Sequence, residues 1–223
     1  YGCCNVLASA LTFDKHTCNT YLKSYGVNVA DSVMLIRGMA YDVNEIINEV
    51  GLPCFVKPNA EGSSFGVTKV KEAAQLEDAL KKAFALCQEV LIETFIDGTE
   101  LTCGVVKAGD MDIAMPIAEV IPKNEFFDFE AKYDPTKSDE IIPARISPEL
   151  TNRIKTLSSM IYDILRCEGI IRVDYIVRDD EIFMLEVNTT PGMTSNSFVP
   201  KMVRAMGGTL REVLTKIIDN KLN

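Results

Sequence analysis

Two apolar runs joined by a short charged turn, within residues 170–193, constrain this fold more than any other stretch. The turn Arg178-Asp179-Asp180 separates the runs, which is the pattern of a β-hairpin. Asp174 lies in the first run, while Glu186 and Asn188 lie two residues apart in the second and therefore point to one face. An unpaired carboxylate in an apolar strand costs several kcal/mol. Oxygen ligands suit a hard cation such as Mg²⁺, so we predict a metal site at these three residues.

The overall composition narrows the classes of protein to consider. The chain has 223 residues, enough for one large or two small domains with a real core. Its formal net charge of −9 argues against a general nucleic-acid binder, because phosphate backbones require a basic surface. No apolar run reaches ~18 residues, so no membrane span is expected. The seven cysteines include no C-x-x-C pair, which fits free thiols in a reducing cytoplasm.

Helical and extended patterns alternate along the chain and predict an α+β protein. Capping residues followed by apolar stripes predict helices at residues 15–25, after Asp42, at 72–87, from Pro148 and after Thr209. Strands are predicted at 27–36, 53–57, 67–70, 90–96, 101–106 and 111–121, before the hairpin. Residues 124–142 have little periodicity and many charges, which predicts a long ordered or closing loop that is mobile without a bound ligand. We place a small unit at residues 1–95 and a larger unit at 96–223.

A loop of small residues follows the strand at 53–57. Gly62 and Gly66 allow a close backbone approach, and the N–H groups of residues 62–64 could cradle phosphate oxygens beside Lys57. The loop lacks the G-x-x-x-x-G-K-[ST] pattern of a P-loop. An ordinary hairpin turn explains the glycines equally well, and we expect the loop to be mobile without a bound ligand.

The same loop also matches G-x-S-x-G, the nucleophile elbow of hydrolases. In that fold the catalytic histidine follows the serine, whereas the only histidine here, His16, precedes Ser64. The loop also leads into a predicted strand, where the elbow requires a helix. We therefore reject a hydrolase site and expect His16 to be a solvated helix residue.

Seven short motifs together resemble the D-alanine–D-alanine ligases, a group of ATP-grasp enzymes. In chain order they are Phe13-Asp14-Lys15, Val56-Lys57-Pro-Asn-Ala-Glu-Gly-Ser-Ser-Phe-Gly66, Leu91-Ile-Glu93, Gly98-Thr-Glu100, Asp128-Phe-Glu-Ala-Lys132-Tyr133, Arg172-Val-Asp174 and Glu186-Val-Asn188-Thr-Thr-Pro-Gly-Met-Thr-Ser195. The resemblance covers essentially the whole chain. The last motif and the Glu-Gly-Ser-Ser loop are specific to these ligases, whereas the Asp/Glu/Asn set marks ATP-grasp proteins more broadly.

The resemblance implies an ATP-grasp fold, in which two α+β subdomains with antiparallel sheets grip ATP between them. The first subdomain would be a lid that carries the phosphate loop, and the second would hold the metal and substrate site. The residues implied to bind ATP are Lys15 and Lys57 at the phosphates, Glu93 and the backbone near Phe95 at adenine, Glu100 at the ribose and Lys132 at the γ-phosphate. Glu100 as an ordinary surface charge remains an alternative.

The remaining implied roles concern the metal and the amino acid substrates. Asp174, Glu186 and Asn188 would hold two Mg²⁺ ions, with Mn²⁺ as a substitute. The implied catalytic and substrate-binding residues are Arg172 and the Gly192 amide at the oxyanion, Ser63 and Tyr133 orienting the second amino acid, and Ser197 with Phe198 binding it. Turn chemistry explains the hydroxyl-rich segment 194–197 equally well.

The activity implied is the ATP-dependent joining of two D-alanines through an acyl phosphate, for peptidoglycan precursors in the cytoplasm. We also consider a homodimer. A D-alanine–D-lactate ligase, an ATP-grasp kinase and a nucleotide-binding module without turnover are the alternatives. Tyr133 favours the dipeptide ligase over the lactate form, because lactate-using relatives tend to have Phe there. The resemblance implies that this chain comprises the family's central and C-terminal domains only, without the N-terminal domain that receives the first D-alanine.

Overall fold

The computed structural model describes residues 2–62, 66–122 and 138–222, which form two units with one antiparallel sheet each. The four-strand unit comprises residues 13–62, 66–97, 122 and 138–139. The six-strand unit comprises residues 2–12, 98–121 and 140–222. The mixed α+β class predicted from the sequence is confirmed.

The four-strand unit packs two of its helices on one face of its sheet. Its strands are β1 (Ser32–Ile36), β2 (Cys54–Pro58), β3 (Thr68–Val70) and β4 (Glu89–Thr94), in the order β1-β4-β2-β3. Its helices are α2 (Lys15–Lys23), α3 (Val43–Val50) and α4 (Leu76–Leu86), the last preceded by a 3₁₀ turn at Ala73–Gln75. Strand residues such as Val56 and Ile92 form a buried cluster with Ile46 of α3 and Leu80 of α4. The opposite face of the sheet carries the polar residues described below.

The predicted helix caps are confirmed by their hydrogen bonds. Asp14 Oδ1 accepts from the N–H of Thr17 at 2.8 Å, and Asp42 Oδ1 accepts from the N–H of Asn44 at 2.7 Å. Each carboxylate satisfies a backbone donor that the first helical turn leaves without an intrahelical partner. Helix α2 ends at Lys23, two residues earlier than predicted.

The six-strand unit is built around a long hairpin and a central strand. The strands of its sheet are β5 (Thr99–Ala108), β6 (Met111–Ala114), β7 (Ala118–Pro122), β8 (Ser138–Ile141), β9 (Gly169–Arg178) and β10 (Glu181–Asn188). The last residue of β7 and the first two of β8 are grouped with the other unit. Their order is β10-β9-β5-β7-β8, and β6 also pairs with β5. Its helices are α5 (Pro148–Ile164), α6 (Phe198–Ala205), α7 (Leu210–Leu222) and nearly all of α1 (Val6–Phe13).

Helices pack on both faces of this sheet. On one face, Ser158 of α5 forms a 2.7 Å hydrogen bond with the buried hydroxyl of Tyr175 in β9. On the other face, α6 and α7 cover one part of the sheet, where Met202 and Ile217 join Val106 of β5 in a buried cluster. The polar residues of the predicted metal site lie on the remainder of this second face.

The structure differs from the sequence predictions at the N-terminus. Residues 2–12 belong to the six-strand unit, and not to a small unit that begins at residue 1, because Cys4 and Asn5 hydrogen-bond the segment before β9. Cys4 Sγ donates to the carbonyl of Glu168 at 3.2 Å, and Asn5 Nδ2 donates to the carbonyl of Arg166 at 3.2 Å. The main border follows Asp97, two residues beyond the predicted one.

Other differences concern single elements. Helices α1 and α6 were not predicted, and β8 lies within the stretch 124–142 that was expected to be a loop. The rest of that stretch, up to residue 137, lies outside the described residues. His16 is half-buried rather than solvated, and its backbone N–H donates to Asn59 Oδ1 at 2.9 Å. Across the described ranges, no helix combines the length and apolar character that crossing a bilayer requires.

Candidate active site

The predicted metal ligands converge on one face of the six-strand sheet. Glu186 of β10 lies opposite Asp174 of β9, and Asn188 lies opposite Arg172. Residues directly opposite each other on antiparallel strands point to the same face. A β-bulge between Met184 and Glu186 shifts the register, so that Glu186 points to the face opposite the one on which Met184 packs. Because of this bulge, Glu186 and Asn188 share a face with Asp174.

The carboxylate of Asp174 is buried and held by three neighbouring side chains. Its Oδ1 accepts from Thr102 Oγ1 at 2.5 Å and from Arg172 Nε at 2.8 Å. Its Oδ2 accepts from Arg172 Nη2 at 2.8 Å and from Asn188 Nδ2 at 3.1 Å. Thr102, on β5, lies opposite Asp174 in the sheet. These donors fix the orientation of the carboxylate and stabilise its charged form.

Arg172 is the cationic centre of this face. Burial alone would lower its pKa, but the negative charges of Asp174, Glu186 and Glu100 raise the pKa of Arg172 above its usual range. Its guanidinium carbon also lies 5.5 Å from the ring centroid of Phe198, the first residue of α6. The guanidinium is therefore fixed and permanently charged, as an oxyanion-stabilising group must be.

The donor set on this face fits a hard divalent cation. Asp174 and Glu186 lie directly opposite each other on neighbouring strands, and Asn188 adds an amide whose nitrogen contacts Asp174. Such oxygen-rich sets suit Mg²⁺ or Mn²⁺. In the part of the chain that the structure describes, no group of three or more His, Cys, Asp or Glu residues forms a metal cluster.

The segment after β10 brings the predicted substrate residues together. A Cβ atom on Gly192 would lie 2.9 Å from Ser197 Oγ, so any larger residue would force that hydroxyl to move. Ser197 Oγ and Thr194 Oγ1 form a 2.9 Å hydrogen bond. Phe198 follows directly and contacts Arg172. Gly192, Ser197 and Phe198 therefore lie in one neighbourhood with the cationic centre.

In the four-strand unit, Lys57 and Glu93 form a buried ion pair. Lys57 Nζ lies 2.5 Å from Glu93 Oε2, and the two side chains are 14% and 6% exposed. Asn19 of α2 donates to the other oxygen of Glu93 at 3.4 Å. Both members of the pair lie on the face of the sheet opposite the α3 and α4 core. The structure thus joins two residues that the sequence assigned to the phosphate and adenine ends of ATP.

Phe95 lies just beyond the end of β4, and its N–H donates to the carbonyl of Pro53 at 3.2 Å. Its ring packs edge-on against Phe55, with the centroids 5.7 Å apart, and Lys69 Nζ lies 3.6 Å from its centroid. Because the Phe95 N–H is already bonded, an adenine contact at this residue would use its carbonyl. Lys69 adds a positive charge that the sequence reasoning missed.

Lys15 lies at the entrance to the glycine loop. Its Nζ donates to the carbonyl of Glu61 at 2.5 Å and to that of Asn59 at 3.4 Å. At the far end of the loop, Gly66 has φ = +74° and a Cβ there would lie 2.6 Å from Leu86 Cδ1. Only glycine fits this backbone conformation and this contact. The structure therefore places a cation beside the loop that was predicted to bind phosphate.

Three predicted residues, Ser63, Lys132 and Tyr133, lie outside the described residues, and so do residues 63–65 of the glycine loop. The sequence reasoning overlooked Thr102 and Asn59, two buried polar residues beside the predicted site. Thr102 interrupts an apolar strand between Leu101 and Cys103, and Asn59 follows the Lys57-Pro58 pair. A polar residue inside an apolar run was the available signal for Thr102, whereas Asn59 lies among polar and turn residues and has no such signal.

Comparisons with known proteins identify the family. The family model of the D-alanine–D-alanine ligase C-terminus matches residues 21–219. The D-alanine–D-alanine ligase of Bacteroides fragilis is 55% identical over 222 residues, which are 99% of this chain and 68% of that protein. The crystal structure of the Bacillus anthracis D-alanine–D-alanine ligase complexed with ATP matches with a TM-score of 0.83 and 32% identity, over 98% of this chain and 69% of that one.

A further structural relative is the VanG D-Ala:D-Ser ligase of Enterococcus faecalis, with a TM-score of 0.82 and 36% identity, over 97% of this chain and 63% of that one. The resemblance inferred from the seven motifs is thus confirmed both by sequence and by fold. The chain belongs to the D-alanine–D-alanine ligase family.

Proposed function

We propose that this chain forms the nucleotide, metal and acceptor part of an ATP-dependent ligase that joins two D-alanines into D-alanyl-D-alanine. The observation that carries the proposal is the convergence of Arg172, Asp174, Glu186 and Asn188 on one sheet face, with Asp174 held by four hydrogen bonds. This arrangement combines a fixed cation with hard oxygen ligands, as phosphoryl and acyl transfer require.

In the first step, the carboxylate of one D-alanine attacks the γ-phosphate of ATP and becomes an acyl phosphate, releasing ADP. Lys15 and Lys57 would neutralise the phosphates, together with Lys132. Asp174, Glu186 and Asn188 would hold Mg²⁺, which when bound supplies positive charge to the phosphate oxygens. Positioning and charge neutralisation account for the whole contribution of these residues, because no covalent bond to the protein is needed.

In the second step, the amine of the other D-alanine attacks the acyl carbon and displaces phosphate. The oxyanion of the tetrahedral intermediate would be stabilised by Arg172 and the N–H of Gly192. Ser197 and Phe198 lie in the same neighbourhood as both groups and would bind the acceptor, while Ser63 and Tyr133 would orient its amine. The fixed charge of Arg172 supports this role, since it needs no proton transfer to stay cationic.

The decisive experiment measures ADP release and product formation in the full-length protein. We expect ADP release that depends on added D-alanine and appears with D-alanyl-D-alanine in equal amounts. ADP without dipeptide would identify a kinase that stops at the acyl phosphate. Nucleotide binding without any D-alanine-dependent ADP release would identify the protein as a nucleotide-binding module without turnover.

A second candidate differs only in the acceptor. One structural relative is named a D-Ala:D-Ser ligase, so this scaffold is compatible with an acceptor other than D-alanine. D-serine and D-lactate therefore belong in the same assay as competing acceptors. The product with the highest kcat/KM decides between the candidates.

The expected compartment is the cytoplasm. All seven cysteines are free thiols, and five of them are buried. Free buried thiols are typical of a reducing environment. A homodimer remains a prediction, which sedimentation of the full-length protein tests.

A further inference from the structure

Asn59 is a completely buried polar side chain in the turn between β2 and the glycine loop. Its Nδ2 donates to Glu89 Oε2 at 3.0 Å, and its Oδ1 accepts from the N–H of His16 at 2.9 Å. Glu89 begins β4 and His16 lies in the first turn of α2. One amide therefore connects three segments that are distant in sequence.

The main chain of Asn59 makes the same connections. Its N–H donates to the carbonyl of Glu89 at 3.0 Å, and its carbonyl accepts from the N–H of Lys15 at 3.3 Å. The same carbonyl lies 3.4 Å from Lys15 Nζ, which also donates to the carbonyl of Glu61. The Lys15 ammonium is thus attached to the loop entrance, residues 59–62, through carbonyls on both sides of Ala60.

The hydrogen bonds at the start of α2 determine which of its donor groups could still bind an anion. The N–H groups of Lys15 and His16 donate to Asn59, and that of Thr17 donates to Asp14. Unbonded N–H groups at a helix start are an ordinary phosphate site. At α2 these three are already bonded within the protein. Recognition of an anion here therefore falls to the side chain of Lys15.

We propose that Asn59 is a positioning residue for nucleotide binding, which holds the Lys15 ammonium and the entrance of the glycine loop in one arrangement. The proposal rests on the proposed function, in which Lys15 contacts the phosphates of ATP. Asn59 is buried and acts through Lys15, so it is not a catalytic residue. Its side-chain amide fixes the backbone beside Lys15 through the N–H of His16, so we expect its effect to fall on the phosphate part of the ligand.

The test is Asn59→Ala in the full-length protein, with Asn44→Ala as a matched control. Asn44 is an exposed asparagine in the first turn of α3, in the same unit. Titration calorimetry measures the affinity for a non-hydrolysable ATP analogue and for adenosine. We expect Asn59→Ala to weaken the analogue by roughly 2- to 13-fold for each hydrogen bond lost, and to leave adenosine and the control unchanged.

A double-mutant cycle with Lys15→Ala tests whether Asn59 acts through the lysine. We expect the double variant to bind the analogue no more weakly than Lys15→Ala alone, because Asn59 has no further effect once the Lys15 ammonium is removed. Additive effects of the two substitutions overturn the proposal. An equal loss of analogue and adenosine affinity in Asn59→Ala also overturns it, because that result indicates a general disturbance of the unit.

A milder variant covers the case in which Asn59→Ala does not fold. Glu89→Ala removes only the side-chain acceptor of the Asn59 amide, and we expect a smaller loss for the analogue with adenosine unchanged. An unchanged affinity for the analogue overturns the proposal. Failure of the proposed function looks different: the unsubstituted protein does not bind the analogue, or Lys15→Ala binds it with full affinity.

Discussion

Lys57 Nζ lies 2.5 Å from Glu93 Oε2, although the sequence assigned these residues to opposite ends of the nucleotide. The pair is a structural element of the four-strand unit as well as a candidate binding element. Both side chains are largely buried, so neither charge is well solvated without the other. A nucleotide that contacts Lys57 therefore meets a lysine whose position is already fixed by Glu93.

Removing the negative member of this pair should destabilise the four-strand unit. We expect Glu93→Gln to lower the free energy of unfolding by about 3 kcal/mol, because it leaves the Lys57 charge buried without its counter-ion. Hydrogen exchange of the β2 and β4 amides measures this loss. Asp31→Asn is the control, since its pair with Lys23 is about two-thirds exposed and should contribute less than ~1 kcal/mol. Equal effects of the two substitutions would contradict a stabilising role for the buried pair.

Loss of the Asn188 amide should weaken binding of a divalent cation. We expect Asn188→Ala to reduce Mn²⁺ affinity by at least about 10-fold, as the loss of a metal ligand or its supporting contact does. Electron paramagnetic resonance of free Mn²⁺, measured with an ATP analogue present, gives the affinity without relying on turnover. Asn152→Ala in α5 is the control, because that residue lies outside this sheet face. Unchanged Mn²⁺ affinity in Asn188→Ala would remove Asn188 from the metal site.

The choice of acceptor provides a prediction for Tyr133, which lies outside the described residues. Tyr133→Phe removes only the hydroxyl, so we expect one lost hydrogen bond, worth roughly 0.5–1.5 kcal/mol. This changes the ratio of kcat/KM for D-alanine and D-lactate by about 2- to 13-fold, toward D-lactate. The measurement requires the full-length enzyme and both acceptors. If the ratio stays the same, Tyr133 does not select the acceptor.

A pH effect should follow from the pairing of Glu119 with Arg145. Arg145 donates to the Glu119 carboxylate from Nη2 at 2.6 Å, from Nε at 3.0 Å and from its backbone N–H at 3.1 Å. The side-chain hydrogen bond from Arg145 lowers the pKa of Glu119 below its usual range. The stabilisation is therefore complete above the unfolded pKa of about 4.3 and is lost as the pH falls through the lowered folded pKa.

The test compares urea unfolding of the unsubstituted protein and of Arg145→Gln across this range. We expect the difference in unfolding free energy to be constant at neutral pH and to shrink as the pH falls below about 4.3. Arg153→Gln is the control, because Arg153 donates to the carbonyl of Asp180, which does not titrate. A difference that stays constant down to the acid transition would show that the ion pair does not stabilise the fold.

The sequence predicted most of the secondary structure because its helices carry strong local signals. The caps at Asp14, Asp42, Ser147 and Thr209 are all present, and each depends on a side chain that bonds a backbone group within three residues. Helix α1 has neither an acidic first turn nor a basic last turn, and it contains little amphipathic pattern. Its capping residue, Asn5, whose Oδ1 accepts from the N–H of Ala8 at 2.9 Å, was the available signal and was overlooked.

The candidate site was predictable in its residues but not in the geometry that joins them. Strict alternation along β10 would place Glu186 on the same face as Met184, toward the core. The β-bulge before Glu186 reverses this, and nothing local in the residues at 184–186 marks a bulge. Likewise, the pairing of Thr102 with Asp174 depends on the register of β5 against β9, which no local sequence pattern predicts.

The pairing of β5 with β9 has a consequence for how this chain folds as it is synthesised. All four strands of the first sheet are available once residue 94 has been made, whereas β5 must wait for residues 169–178 before its second edge is paired. Contacts between distant segments form slowly, and an unpaired strand edge can pair with another chain. The growing chain is therefore most vulnerable to aggregation during the interval between the synthesis of β5 and that of β9.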